Sequence, residues 1–337
     1  MQLEPNQNAI AQRIAKNKKL ESIFLPRARA RRDALYELGN KNSARFIHYT
    51  SAEAAIKIIG QKRLWLRNTS CMADYREVQH GFSILQQFFS DQGNQKSFTD
   101  AVNLFAPGAA DEAIKMFNHW WSDGTIPFRT FIASLSEHDS TEDLHGRLSM
   151  WRAFGGASAG VGIVLNAPDH SPAAEAMQLI FGPVAYYNDG EANQLMPEVI
   201  EQFGSNVDFL KTITSEEIRN WIFSMLLMNV TGVKHEGFRE EKEWRVIHCP
   251  QLYPNQLITA STEIIGGIPQ RVYKLPLDFS VNPVLGDLDF VKLFDRLIIG
   301  PSPYPLAMAD AFIEELSKIG VPDAAKRIFI SNIPIRS

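Results

Sequence analysis

The chain has 337 residues, of which 45% are hydrophobic and 21% charged, with a formal charge of −4. These ordinary globular values exclude a disordered, collagen-like or coiled-coil chain and leave ample apolar material for a core. Cys71 and Cys249 are the only cysteines, which excludes a disulfide framework and leads us to expect a reducing, cytoplasmic setting.

The opening MQLEPNQNAI lacks the apolar run of a signal peptide. The longest apolar stretch, Trp221 to Val233, is interrupted by Ser224, Asn229 and Thr231 and is too short to span a bilayer, so no membrane association is expected. Charge is uneven along the chain. Residues 1–45 hold ten Lys/Arg against four Asp/Glu, and the remainder holds 24 against 34. Within the basic segment 13–32, Lys16, Lys18, Lys19, Arg27, Arg29, Arg31 and Arg32 could meet nucleic acid or an acidic protein partner. The alternative is a solvated helical face.

In chain order, residues 8–39 predict one or two helices interrupted at Pro26. Arg45 to Thr50 predicts a strand, and Thr50 with Glu53 a capping box that opens a helix ending at Gly60. Lys62 to Leu66 predicts a second strand. Asp74 with Glu77 repeats the capping pattern ahead of a stripe of Val78, Phe82, Leu85 and Phe89. Helical inserts are expected near 97–122 and 191–230. Strands are expected at 128–136, 160–165, 179–187, 243–249, 257–265, 271–275, 294–299 and 327–331, with a helical turn at 149–154 and a last helix over 305–319.

This irregular order favours an α+β fold with mixed or antiparallel central sheets. Residues 1–43 form a basic helical extension in this reading, and 44–337 a single domain. No repeat is detectable.

Gly156 to Gly160 matches G-x-S-x-G. A nucleophile elbow needs a strand before the serine and a helix after it, and around Ser158 the expected order is reversed. There is no C-x-x-C or H-E-x-x-H. His235 and His248 flank an acidic cluster without standard ligand spacing, so no metal is expected.

Three blocks could carry chemistry. On the first strand, Phe46, His48 and Thr50 should share one face, and Ile47 and Tyr49 the other. In Gly146 to Gly156, Trp151 and Phe154 share a helical face beside Arg152; such aromatics fill a core or wall a site that stacks a planar ring. In Phe238 to Ile247, extended chain would put Glu241, Glu243 and Arg245 on one face. That arrangement suits acid/base or ribose-hydroxyl work, or else an exposed salt bridge of small effect.

These blocks, with LRNTSC before Asp74, IIGP at 298–301 and SNIPIR at 331–336, resemble the bacterial family catalogued as domain of unknown function 2971, over about residues 44–336. The family pattern leads us to expect Asn before Asp74. Ala73 stands there, and Asn68 could substitute for it.

An early His-Tyr, a central aromatic element and a late Glu-x-Glu strand are also similar to the motif order of ADP-ribosyltransferases of the His-Tyr-Glu kind. That resemblance implies an ADP-ribosyltransferase-like fold that binds NAD as substrate, in a superfamily with members in bacterial toxin–antitoxin and phage-defence systems. His48 would then bond the adenosine-side ribose, and Tyr49, or Trp151 and Phe154, would stack on nicotinamide. Glu243 would take the nicotinamide-ribose hydroxyl, Glu241 would orient the acceptor, and Arg152 or Arg245 would face the pyrophosphate. The competing expectations are a non-catalytic interaction or sensor module and an NAD-independent hydrolase using Glu241, Glu243 and His48.

Overall fold

The computed structural model describes residues 5–38, 43–71, 75–122, 129–154 and 160–334. The fold is α+β with a mixed sheet. The chain forms two compact units, each discontinuous in sequence. A helical unit takes residues 1–34, 72–128 and 182–240, and a sheet unit takes 35–71, 129–181 and 241–337. The grouping therefore differs from a basic extension followed by one domain. The first helices carry an apolar stripe of Leu20, Ile23 and Phe24, all fully buried. Phe24 meets Phe203 and Trp221 at ring-centroid distances of 5.1 and 5.9 Å, so the extension joins the inserts.

The strands are β1 (Ser43–Ser51), β2 (Arg63–Asn68), β3 (Phe131–Glu137), β4 (Gly160–Pro168), β5 (Ile180–Pro183) and β6 (Ala185–Tyr187). They continue with β7 (Val233–His235), β8 (Glu243–His248), β9 (Thr259–Ile265), β10 (Ile268–Pro276), β11 (Phe294–Ile299) and β12 (Ile328–Ile330). In the sheet unit the order is β12-β11-β4-β1-β3-β2-β10-β9. Only β11 and β12 pair in parallel along this path.

The sheet forks at β3. β8 pairs with one edge of β3 from Phe131 to Ser136. The other edge is shared, with β1 meeting Ser136 and Glu137 and β2 meeting Phe131 and Ile132. Alternation sends Phe46, Leu66, Ala133, Leu135, Ile163, Leu165, Trp244 and Val246 into the main core. Ile47, Tyr49 and Val164 face the other way, under Met150 and Trp151 of the helix Leu148–Phe154.

Two local expectations are corrected. The helix after β1 is capped by Ser51, whose Oγ accepts from the Ala54 N–H at 3.2 Å. Thr50 is instead a rung of β1 opposite Val161. The single strand expected over 179–187 is two strands in different sheets: β5 leads out of the sheet unit, and β6 pairs in parallel with β7 in the helical unit. Pro183, which has no N–H for a ladder, stands at the break. Asp74 and Ala73 lie outside the described residues, as does the Glu77 side chain.

In the helical unit, Asp91 and Thr214 cap the helices Gln92–Asn103 and Ser215–Thr231, accepting from the N–H groups of Asn94 and Glu217. The segment 13–32 uses much of its charge internally. Lys16 pairs with Glu217 at 2.6 Å, and Arg27 Nε donates to Glu198 at 2.7 Å while the guanidinium sits over Tyr187. Arg29 and Arg32 converge on Glu21 at 3.0 and 3.2 Å, Arg29 also bonds Asp33, and Arg31 donates to the Val184 carbonyl. Arg27 holds the Glu198 carboxyl below the usual carboxylate range. No helix among the described residues is long and apolar enough to cross a membrane.

Candidate functional site

β3 reads Phe-Ile-Ala-Ser-Leu-Ser-Glu, so its two serines alternate with the apolar residues that enter the core. β8 does the same with Glu243 and Arg245, and the register sets Ser136 opposite Glu243 and Ser134 opposite Arg245. The result is a polar ladder on the sheet face away from the main core. Arg245 Nε donates to Glu243 Oε1 at 2.9 Å and Nη2 to Oε2 at 3.3 Å. Glu243 is 3% exposed and Arg245 2%. Breaking such a desolvated pair would leave an uncompensated buried charge.

Glu241 does not share this ladder. It ends a 3-10 turn (Glu236–Glu241), and Lys242 follows with φ +46°, in the left-handed region. That turn breaks the alternation expected from extended chain, and β8 begins only at Glu243.

On β1, His48 takes the face of Phe46, opposite that of Tyr49 and the ladder. Beyond Ile47, β1 leaves β3, so the Ser134 carbonyl lies in the fork between the β1 and β2 pairings. His48 Nδ1 meets that carbonyl at 2.9 Å. A carbonyl only accepts, so Nδ1 carries the proton and the ring closes a gap in the ladder. Burial, with the nearby Arg67 charge adding to it, holds the His48 pKa below the ordinary histidine value, which keeps the ring neutral.

Tyr49 and Trp151 pack edge to face at 4.8 Å. The Tyr49 hydroxyl accepts from the Arg147 N–H at 2.8 Å, and burial raises its pKa. Trp151 Nε1 donates to the His145 carbonyl at 2.7 Å, and the ring is 2% exposed. Its bed depends on glycines: a Cβ at Gly146, Gly162 or Gly300 would approach indole atoms at 2.7, 3.5 and 2.8 Å. These rings therefore anchor the helix Leu148–Phe154 and do not present open faces. Arg152 is exposed, and the Phe154 side chain lies outside the described residues. Asn68 closes a turn, with Oδ1 accepting from Ser70 N at 2.9 Å and Ser70 Oγ at 2.5 Å.

The structure thus brings Tyr49, Trp151, Glu243 and Arg245 to one face and sets His48 in the fork from the other side. Three further residues were not singled out from sequence. Arg147 donates to Glu142 at 2.8 and 3.0 Å, to the Glu241 carbonyl at 2.8 Å and to the Glu137 carbonyl at 3.0 Å, tying the end of β3 to the start of β8. Arg67 on β2 donates to the Cys71 carbonyl and Gln270 Oε1, and burial holds its pKa below the ordinary arginine value. Ser134 is the third. Ser134 Oγ, Ser149 Oγ and Arg67 Nε are buried with no hydrogen-bond partner among the described residues. Buried polar atoms are nearly always paired with protein or with ordered water, so these three are groups left for a water or a ligand to satisfy. The alternating serines in β3 were the available signal for Ser134.

Among the described residues, no group of three or more His, Cys, Asp or Glu is arranged to hold a metal ion. Fold and site together define an α+β protein with a buried ionic ladder beside a forked sheet. A family model described as a protein of unknown function (DUF2971) matches residues 150–246, and over that segment the chain is similar to the family. The match takes in Trp151, Arg152, Glu243 and Arg245. No curated protein and no solved structure matches the chain.

Proposed function

We propose that the chain is an ADP-ribosyltransferase-like enzyme that cleaves NAD and transfers ADP-ribose to a macromolecular acceptor. The observation that carries this reading is the set of buried, unpaired donors, Ser134 Oγ and Arg67 Nε, on the face of the Glu243–Arg245 ladder. Loss of nicotinamide leaves positive charge on the ribose, and a carboxylate fixed in a dry site stabilises it without reorganising. Removing such a group typically costs about 100–1,000-fold in rate. Glu243 is desolvated and held by two hydrogen bonds, which suits that role. Arg67 and Arg245 supply planar donors suited to a pyrophosphate. His48, neutral and fixed at Nδ1, would offer Nε2 as an acceptor to a ribose hydroxyl.

The test is transfer of labelled ADP-ribose from NAD to protein, DNA or RNA, with NAD binding measured calorimetrically. Wild type should bind NAD and transfer label. Glu243→Gln should stay folded by circular dichroism, although less stable because Arg245 loses its buried carboxylate, and should retain NAD binding and lose transfer. Absence of NAD binding and of label on all three acceptors would refute the reading, and turnover of a substrate without NAD would favour a hydrolase.

A second reading has its own support. Both Glu243 oxygens are engaged by Arg245, and Tyr49 and Trp151 are consumed by packing, as in a non-catalytic interaction module. On that reading Glu243→Gln would alter stability alone.

A further inference from the structure

A second polar site lies at the far edge of the sheet, where β11 runs between β4 and β12. The register of β11 against β4 shifts between Phe294 and Arg296, a bulge at Asp295. Bulges bend the strand and re-aim the side chains around them. Beside this one opens a cavity of about 410 Å³, whose lining includes Asn166, Lys292, Asp295, Arg296, Arg327 and Phe329. That volume lies within the roughly 300–1,000 Å³ common for small-molecule pockets.

Its cations differ in how they are matched. Arg296 Nε donates to Asp295 at 2.9 Å, and its Nη1 lies 3.1 Å from Asp143. The same two carboxylates take Arg45, so this part of the network is balanced. Arg327 and Lys292 are not matched in that way. Arg327 Nη1 donates to the Phe294 carbonyl at 3.1 Å, and Lys292 Nζ to the Gly286 carbonyl at 3.0 Å. A carbonyl satisfies a donor but cannot cancel its charge. Lys326, also bordering the cavity, pairs with Asp323 at 3.0 Å, but both side chains are more than half exposed and such a pair is weak. On a chain of net charge −4, the cavity therefore gathers, beside the balanced Arg296–Asp295 pair, two cations bonded only to carbonyls, Lys292 and Arg327, and a third, Lys326, in an exposed pair. Phe329 gives it an apolar edge, with the Arg296 guanidinium 4.9 Å from its ring, while the Phe294 ring is buried in the main core.

We propose that this cavity binds a small phosphorylated ligand of mononucleotide size. The phosphate lies among Lys292, Lys326 and Arg327, and the ring system lies towards Phe329. Arg327 supplies the planar donor group that a phosphate accepts from, and the lysines supply point charges. The inference is independent of the reading at Glu243, since it rests on a cavity and on residues that the reading does not use.

The experiment is calorimetric titration of the full chain at low salt with AMP, adenosine and inorganic phosphate. AMP should bind at one saturable site, phosphate should compete with it, and adenosine should bind at least tenfold more weakly. Lys292→Gln, at an exposed position, and Arg327→Gln should each weaken AMP by roughly tenfold, the size expected for losing one hydrogen bond to a charged group. Should Arg327→Gln fail to fold by circular dichroism, the double variant Lys292→Gln/Lys326→Gln carries the test. No AMP binding at millimolar concentration would overturn the proposal, as would AMP and adenosine binding alike or AMP affinity unchanged in the variants. A 5′-phosphorylated oligonucleotide that binds where AMP does not would overturn it as well.

Discussion

Replacing Gly300 with alanine should destabilise the sheet unit by about 1–3 kcal/mol, and part of that loss should disappear when Trp151 is shortened. A Cβ at Gly300 would lie 2.8 Å from Trp151 Cε3, 2.9 Å from Cζ3 and 3.0 Å from the Gly160 oxygen. The indole cannot retreat, because Gly146 and Gly162 bracket it and Nε1 is tied to His145. Trp151→Ala alone should cost about 3–5 kcal/mol. It should orphan no acceptor, since the His145 carbonyl also accepts from Ser331 Oγ at 2.8 Å. In the double variant the ring clash is gone and only the Gly160 contact persists. The losses should therefore fall short of additive by about 1–2 kcal/mol, the coupling expected of touching groups. Urea unfolding of the four proteins by circular dichroism, compared at constant m, measures this. A double variant additive to within about 0.5 kcal/mol would refute the packing argument.

Arg245→Met should cost about 3–5 kcal/mol by taking from the buried Glu243 its arginine partner, and adding Glu243→Gln should restore part of it; a double variant no more stable than Arg245→Met would count against a charge origin. Gly81→Ala should destabilise the helical unit by about 1–3 kcal/mol, because its Cβ would meet the Asn229 and Val230 carbonyl oxygens at 2.6 and 2.7 Å, and an unchanged melting temperature would contradict this.

Stability should also fall below neutral pH. Burial holds His48, His138 and His248 below the ordinary value, His248 at about 4. Unfolded histidine takes up a proton near pH 6.5 that the folded ring refuses. The stability is thus full above that pH and lost on descent towards 4, by up to about 3 kcal/mol for His248. Urea midpoints at pH 7.5 and 5 test the slope, which His248→Gln should flatten.

Two-residue periodicity makes the faces of β1 and β8 legible in the sequence, with Glu243 and Arg245 together on one face, and β4 is legible as a continuous apolar run. The same rule failed at Glu241, because Lys242 adopts a left-handed conformation with no glycine or asparagine to signal it. It failed again at 179–187, where a nearly continuous apolar run serves two sheets. The neighbouring hydroxyls of Thr50 and Ser51 are equivalent candidates for a cap, and strand register decides between them. Tyr49, Trp151 and Glu243 stood out as chemistry-bearing types, but their engagement with Arg147, His145 and Arg245 is a product of tertiary contacts. Arg67 and Ser134 carried little signal of their own. Their interest comes from donors left without a hydrogen-bond partner among the described residues, a property of tertiary packing that no local pattern encodes.

The interleaving of the two units bears on how the chain can be made. Phe24 finds Phe203 and Trp221 only after some 180 further residues have been synthesised, a delay of roughly 10–40 s at ordinary elongation rates. β3 likewise waits for β8, more than a hundred residues downstream. Neither hydrophobic centre can therefore be sealed while the ribosome is still in the first half of the message. An early helix with an apolar stripe and an unmatched strand edge would stay uncovered together, until the helical unit closes with residue 240 and the sheet unit only with β11 and β12, further downstream.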